Sequence, residues 1–93
     1  MIVTDTNAEI EDDATTLALR ALIWTLSDER RADRLLALTG LTAERLREGI
    51  AEPSMQSAIL AFLENHEPDL IACADAIGAA PGALIEARRA LDA

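Results

Sequence analysis

The chain has 93 residues, the length of a single domain, and Ala, Leu, Glu and Arg fill 50 of these positions. Those four residues are strong helix formers, whereas Val occurs once and Tyr is absent. The composition therefore favours an all-α domain and excludes a β-sandwich or β-barrel. With 51% hydrophobic residues, the chain is too apolar to be intrinsically disordered. No apolar run reaches the roughly 18 residues that a membrane helix needs, so we expect no membrane partner.

The net charge of −9 excludes a general affinity for nucleic acid, because a phosphate backbone repels an acidic protein. All eight basic side chains are Arg, which rules out catalysis by Lys. The charge is uneven along the chain. Residues 28–48 carry five Arg and five acids and are neutral, whereas residues 1–27 carry −4 and residues 49–93 carry −5. The middle is therefore zwitterionic between two acidic flanks.

The lone cysteine, Cys73, cannot form an intrachain disulfide, so nothing indicates an oxidising compartment. The acidic N-terminal stretch lacks the basic region and long apolar core of a secretory signal. We therefore expect a cytoplasmic protein. Residues 1–12 are predicted to form a flexible acidic lead, with the alternative that their aliphatic side chains dock onto the domain. Residues 13–93 are predicted to form a single helical domain.

The rest of the chain predicts a compact bundle of five to six short helices. Taken in chain order, these helices are predicted over residues 13–26, 28–39, 43–50, 54–65, 68–77 and 81–91. The first is apolar on nearly every face, a pattern typical of a helix at the centre of a domain. Gly40 suits the end of the second helix and Thr42 the cap of the third. Pro53, Pro68 and Pro81 begin the last three.

A shift of 38 residues places Trp24 on Phe62 and aligns two of the glycines that end helices. This register predicts two three-helix units, residues 15–51 and 53–91, packed on each other. Few residues are identical between the two halves at this shift, so a bundle without an internal repeat is the alternative.

Two segments, residues 19–41 and 62–81, carry a recognisable set of marks. The marks are Trp24, Asp28 with Arg31, Leu38-Thr39-Gly40, Phe62-Leu63, His66-Glu67, and Gly78 followed by Pro81. In these the chain resembles a small bacterial family of all-helical proteins that form a domain of unknown function. The resemblance covers roughly residues 14–91 and implies the all-α fold, but it implies no reaction. The chain departs from the family pattern at Ala72 and Cys73, where an apolar aromatic residue is expected.

Residues 35–50 have the pattern of a helix-turn-helix, with a Gly turn between two helices. In a DNA-binding version, Arg45 and Arg47 would contact base edges from the second helix. Three arginines on the preceding helix would assist, namely Arg30, Arg31 and Arg34. Glu44 and Glu48 flank the second-helix arginines, and this spacing is more typical of surface ion pairs. A DNA-binding regulator is therefore the alternative function, and we do not expect nucleic acid as the main partner.

The segment from Glu64 to Asp69 holds the only histidine, His66, among carboxylates, but its spacing matches no standard metal site. Cys73 lies in an apolar stretch and has no assured base, so we interpret it as a small buried hydrophobe. We therefore predict that the protein is not an enzyme and that it has no metal and no cofactor.

These observations lead us to predict a non-enzymatic cytoplasmic protein-interaction domain. Its partner is expected to be another protein, or a second copy in a homodimer, because the first helix has more apolar surface than short neighbours can cover. The Arg-rich middle is expected to make the contact with an acidic or phosphorylated group. The predicted partner-binding residues are Arg30, Arg31, Arg34, Arg45, Arg47 and Trp24.

Overall fold

Six α-helices account for most of residues 6–93, the part of the chain that the computed structural model describes, with side chains described from Ala14 onward. They are α1 (Thr6–Leu26), α2 (Glu29–Thr39), α3 (Ala43–Gly49), α4 (Pro53–Glu64), α5 (Glu67–Ile77) and α6 (Pro81–Asp92). The predicted all-α bundle of short helices is confirmed. Helix α1 begins earlier than the predicted start at residue 13. Of the predicted flexible lead over residues 1–12, residues 1–5 and the side chains lie outside the described residues, whereas the backbone of residues 6–12 belongs to α1.

Local chemistry explains where the helices begin and end. The side chain of Asp28 accepts a hydrogen bond from the backbone nitrogen of Arg31 at 3.0 Å, which caps α2. Thr42 caps α3 in the same way, accepting from the backbone nitrogen of Arg45 at 3.0 Å. Gly40 has a φ of +74°, the left-handed conformation that ends α2 with its backbone nitrogen bonded to the helix. Proline lies in the first turn of each of the last three helices, as predicted.

Helix α4 is the most enclosed element, with seven of its twelve residues buried. It packs against α6 and α1, and its Ile59, Leu60 and Leu63 are fully buried. Helix α1 buries only one side, formed mainly by small residues such as Ala18 and Ala21, which let the neighbouring helices approach closely. The central place predicted for the first helix holds in part, since α1 packs on α2, α4, α5 and α6. Two of its large apolar side chains, Ile23 and Leu26, nevertheless face outward.

The two predicted three-helix units do not stack as separate bodies. Helix α1 packs more extensively on α6 and α4 than on α2, its neighbour in the chain. It also packs on α5. The two halves are therefore interleaved, and the core that they share is continuous.

Polar side chains connect α4 to α1 and α6, both inside the core and at the edge of the core. The buried Gln56 of α4 donates from Nε2 to the carbonyl oxygen of Ile50 at 2.9 Å and accepts from the hydroxyl of Thr15 at 3.3 Å. Its polar atoms are thereby satisfied away from water, which avoids a desolvation cost of about 1–3 kcal/mol. At the other end of α4, Arg88 of α6 forms an ion pair with Glu64. These contacts fix α4 against α1 and α6.

Among the described residues, no single helix is long and apolar enough to cross a membrane. Helices α5 and α6 reach the required length and apolarity only as a joined pair, and the pair is bent by 100°.

Candidate interaction surface

Arg31 and Trp24, two of the predicted partner-binding residues, contact each other at the corner between α1 and α2. The guanidinium carbon of Arg31 lies 3.6 Å from the centroid of the Trp24 ring. Nη2 donates to the carbonyl oxygen of Trp24 at 2.7 Å and to the hydroxyl of Ser27 at 3.1 Å. The cation therefore satisfies a carbonyl of the last turn of α1 and complements the negative end of that helix. Arg31 stabilises the fold at this corner, and most of its side chain is covered.

Two other predicted arginines have ionic partners within the chain. Arg34 of α2 pairs with Asp69 of α5, and its guanidinium carbon lies 5.9 Å from the Phe62 ring centroid. Arg45 of α3 lies 3.7 Å from a carboxylate oxygen of Glu52, and about half of each side chain is exposed. The exposed Arg45 pair contributes little to stability, since solvent screens it. The Arg34 pair connects α2 to the second half of the chain.

The remaining two, Arg30 and Arg47, are exposed, and neither forms an ion pair with any of the side chains described from Ala14 onward. They differ in their surroundings, because Arg47 borders an apolar cleft. Of the six predicted residues, four contact other side chains of the domain, namely Trp24, Arg31, Arg34 and Arg45. The other two, Arg30 and Arg47, face solvent.

The most exposed part of α1 is a ridge formed by Ile23 and Leu26 near its C-terminal end. Ile23 is 70% exposed and Leu26 is 45% exposed. The two residues are three positions apart, so they are neighbours on one side of the helix. A pair of large aliphatic side chains is therefore presented together to solvent, opposite the alanine side that α1 buries.

Each side of this ridge borders a cleft. The first cleft, about 210 Å³, lies between α1, α2 and α3 and is lined by Leu22, Leu26, Leu36, Ala43, Leu46, Arg47 and Ile50. The second cleft, about 420 Å³, lies between α1 and α5 and is lined by Arg20, Ile23, Trp24, Ser27, Ala76 and Ile77. We call the ridge together with these two clefts the α1-end surface.

A third cleft lies apart from this surface, between α2 and α4. It also measures about 420 Å³ and is lined by Leu38, Phe62 and small or polar side chains. Leu38 is 72% exposed at its edge. This cleft has one large protruding aliphatic residue, whereas the α1-end surface has two.

Of the residues that form the α1-end surface, only Trp24 and Arg47 belong to the predicted partner-binding set, and the exposed Arg20, Ile23 and Leu26 do not. The signal that could have found the two aliphatic residues is the pattern of α1 itself, which is apolar on every side. The alanines at positions 14, 18 and 21 share one side and are buried, and the large residues Ile23 and Leu26 on another side are left exposed.

Helices α2 and α3 follow each other in the chain with Gly40 between them, the order of elements that the helix-turn-helix pattern predicts. Helix α3 has only seven residues, and Leu46 on it is buried. Its ionisable residues are two Glu and two Arg, so the helix carries no net charge. Helix α3 therefore carries no excess of positive charge for a phosphate backbone.

Cys73 is fully buried in α5. Burial raises the pKa of its thiol to about 11, with the nearby carboxylate of Asp69 adding to this effect and the cation of Arg31 opposing it. The thiol is therefore protonated near neutral pH, and it is shielded from solvent. His66 is exposed at the start of α5. Among the residues that the structure describes, no three His, Cys, Asp or Glu side chains come together as a metal site.

These features define a small all-α domain with an exposed apolar surface at the end of one helix. Residues 11–93 match the family described as protein of unknown function (DUF3572), and the chain belongs to this family. The resemblance seen in the sequence to an all-helical family of unknown function is thereby confirmed. Comparison with curated proteins and with solved structures finds no match.

The residues that carry the family resemblance have structural roles. Trp24 and Arg31 form the stacked corner, and Asp28 caps α2. Gly40 and Gly78 both have φ near +75°, the conformation that ends a helix. These marks explain the fold, and they lie mostly outside the exposed ridge.

Proposed function

We propose that this domain works in the cytoplasm by binding another protein through the α1-end surface, and that it does not itself catalyse a reaction. The observation that carries the proposal is the exposure of Ile23 and Leu26 between two apolar clefts. Contiguous exposed apolar surface with polar surroundings is typical of protein interaction sites. Covering these two side chains would contribute about 1–2 kcal/mol each to binding.

The geometry of the surface supports this role as well. Binding energy concentrates in a few large side chains that fit pockets on the partner, and in pockets that receive the partner's own anchors. The α1-end surface supplies both, since the ridge can enter a partner's groove while the clefts receive its side chains. Trp24 forms part of one cleft wall and is held in place by Arg31.

A capture experiment with matched variants tests the proposal. Tagged wild-type protein, Ile23→Glu and Leu38→Glu are each used to recover proteins from nuclease-treated lysate of the native cells, and partners are identified by mass spectrometry. The two variants introduce the same charge at positions of nearly equal exposure, 70% and 72%. We expect one partner protein to be retained by wild type and Leu38→Glu but lost with Ile23→Glu. Recovery that is equal in all three contradicts the proposal.

The nuclease step separates the proposed function from the alternative of DNA binding through residues 35–50. Partners that disappear with nuclease, and that are also lost with Arg47→Ala, would favour that alternative. Circular dichroism of each variant confirms that a loss of binding does not reflect unfolding. Sedimentation of wild type at high concentration tests self-association.

A further inference from the structure

We infer that the occupant of the α1-end surface is an acidic amphipathic helix of a different protein, with apolar side chains flanked by Asp or Glu. This inference rests on the proposed function and adds the chemistry of the partner. The described part of the chain contains no strand, so it offers no sheet edge to an extended peptide. An amphipathic helix laid into an apolar groove is the recognition mode that remains for a surface built between helices.

The charge of the two clefts indicates an acidic ligand. The only ionisable side chains that line them are Arg47 in the first cleft and Arg20 in the second. No acidic side chain lines either one, although the whole chain carries −9. The site therefore has the opposite sign to the protein as a whole. Guanidinium groups bind carboxylates through two parallel hydrogen bonds, which adds direction to the charge attraction.

Both arginines are exposed, and neither pairs with any side chain from Ala14 onward. This distinguishes them from Arg34, Arg45 and Arg88, whose guanidinium groups pair with carboxylates of other helices or loops. A carboxylate from a partner would thus meet Arg47 without first displacing an internal acid.

The size of the clefts fits single apolar side chains of a ligand. The first cleft measures about 210 Å³, whereas an apolar cavity of about 150 Å³ already accommodates benzene. One Leu or Phe side chain therefore fits there. The second cleft is about twice as large and has Trp24 and Ile77 in its walls. A ligand helix with two large apolar side chains on one side would place one of them in each cleft, with the ridge between them.

A second copy of this chain fits the surface less well, because a two-fold axis would bring the same cations, Arg20 and Arg47, into one interface without a lining acid to neutralise them.

The first test uses a displayed library of random 16-residue peptides. The library is selected on wild-type protein and counter-selected on Ile23→Ser, which removes the apolar side chain without adding a charge, so that only peptides bound through the ridge are recovered. We expect the recovered sequences to carry net negative charge, with large apolar residues spaced three or four positions apart. Recovered peptides that are neutral or basic, or the absence of any peptide that depends on Ile23, would overturn the inference.

The second test reverses one charge. Binding of a selected peptide, and of its copy with every Asp and Glu changed to Lys, is measured by fluorescence anisotropy. Arg47→Glu is compared with Arg89→Glu, which makes the same change of net charge on the exposed face of α6, outside both clefts. We expect Arg47→Glu to lower the affinity for the acidic peptide by roughly tenfold or more and to raise the affinity for the basic copy. Arg89→Glu should change either affinity by less than about threefold. Equal effects of the two variants contradict the inference.

The two proposals can fail separately. A lysate partner that depends on Ile23 but binds Arg47→Glu as well as wild type would leave the proposed function intact and overturn the acidic-helix inference. A dimer in sedimentation that dissociates on Ile23→Glu would assign the surface to a second copy, and it would also overturn the inference. Loss of both the lysate partner and the Ile23-dependent peptides would contradict both proposals.

Discussion

The buried thiol of Cys73 predicts a specific loss of stability at alkaline pH. Because burial raises the pKa of this thiol in the folded protein to about 11, the unfolded chain, with an ordinary value of 9.0, releases the proton first. The buried neutral thiol therefore makes its full contribution to the free energy of unfolding below pH 9, and this contribution is lost as the pH rises towards 11. The chain contains no Lys and no Tyr, and Arg titrates above pH 12. Cys73 is therefore the only side chain that titrates in this interval.

The size of the effect follows from the linkage between proton binding and folding. Between pH 8 and pH 10, a folded pKa of about 11 lowers the free energy of unfolding by about 1 kcal/mol. The assay is urea denaturation at pH 8, 9 and 10 with a reducing agent, followed by far-ultraviolet circular dichroism. The control is Cys73→Ala, whose stability is lower at every pH because of the smaller side chain but does not change across the interval.

Two outcomes would refute this reasoning. The first is a wild-type free energy of unfolding that stays constant from pH 8 to pH 10. The second is an equal decrease in Cys73→Ala, which would show that another group is responsible.

Three further changes test the fold by urea denaturation. Arg31→Ala is expected to lower the free energy of unfolding by about 2 kcal/mol, because it removes the stack on Trp24 and a charged hydrogen bond to its carbonyl. The exposed neighbour Arg30→Ala should change it by less than about 0.5 kcal/mol, and equal effects would contradict the structural role of Arg31. Gly40→Ala should cost about 1 kcal/mol, since φ is +74° with no atom near the added methyl. Gly82→Ala, in the first turn of α6 and facing open space, should instead add about 0.5–1 kcal/mol, and a loss there would mean that the helix start is wrongly assigned.

Much of the fold could be predicted because its signals are local. Gly40 and Thr42 are two residues apart, and each acts through its own backbone conformation or hydroxyl, so the sequence alone identifies the end of α2 and the start of α3. The prolines act in the same way at the starts of the last three helices. Such features do not depend on what else packs nearby.

The site could be predicted only in part, because its residues are sorted by tertiary packing. Arg30 and Arg31 are adjacent in the sequence, yet a rotation of about 100° around α2 separates a solvent-facing cation from one stacked on Trp24. The exposure of Ile23 likewise depends on α4 and α6 packing on the alanine side of α1.

The packing of α1 against α6 also determines when this domain can fold during synthesis. Helix α6 begins at Pro81, so about 55 residues must be made after Leu26 before the two helices can meet, which takes about 3–10 s at ordinary rates of translation. Throughout that interval α1 is without the helix on which it packs most extensively. We therefore expect the nascent chain to be a chaperone client until α6 has left the ribosome, and a ribosome stalled before Pro81 to display a chain that proteases cut readily.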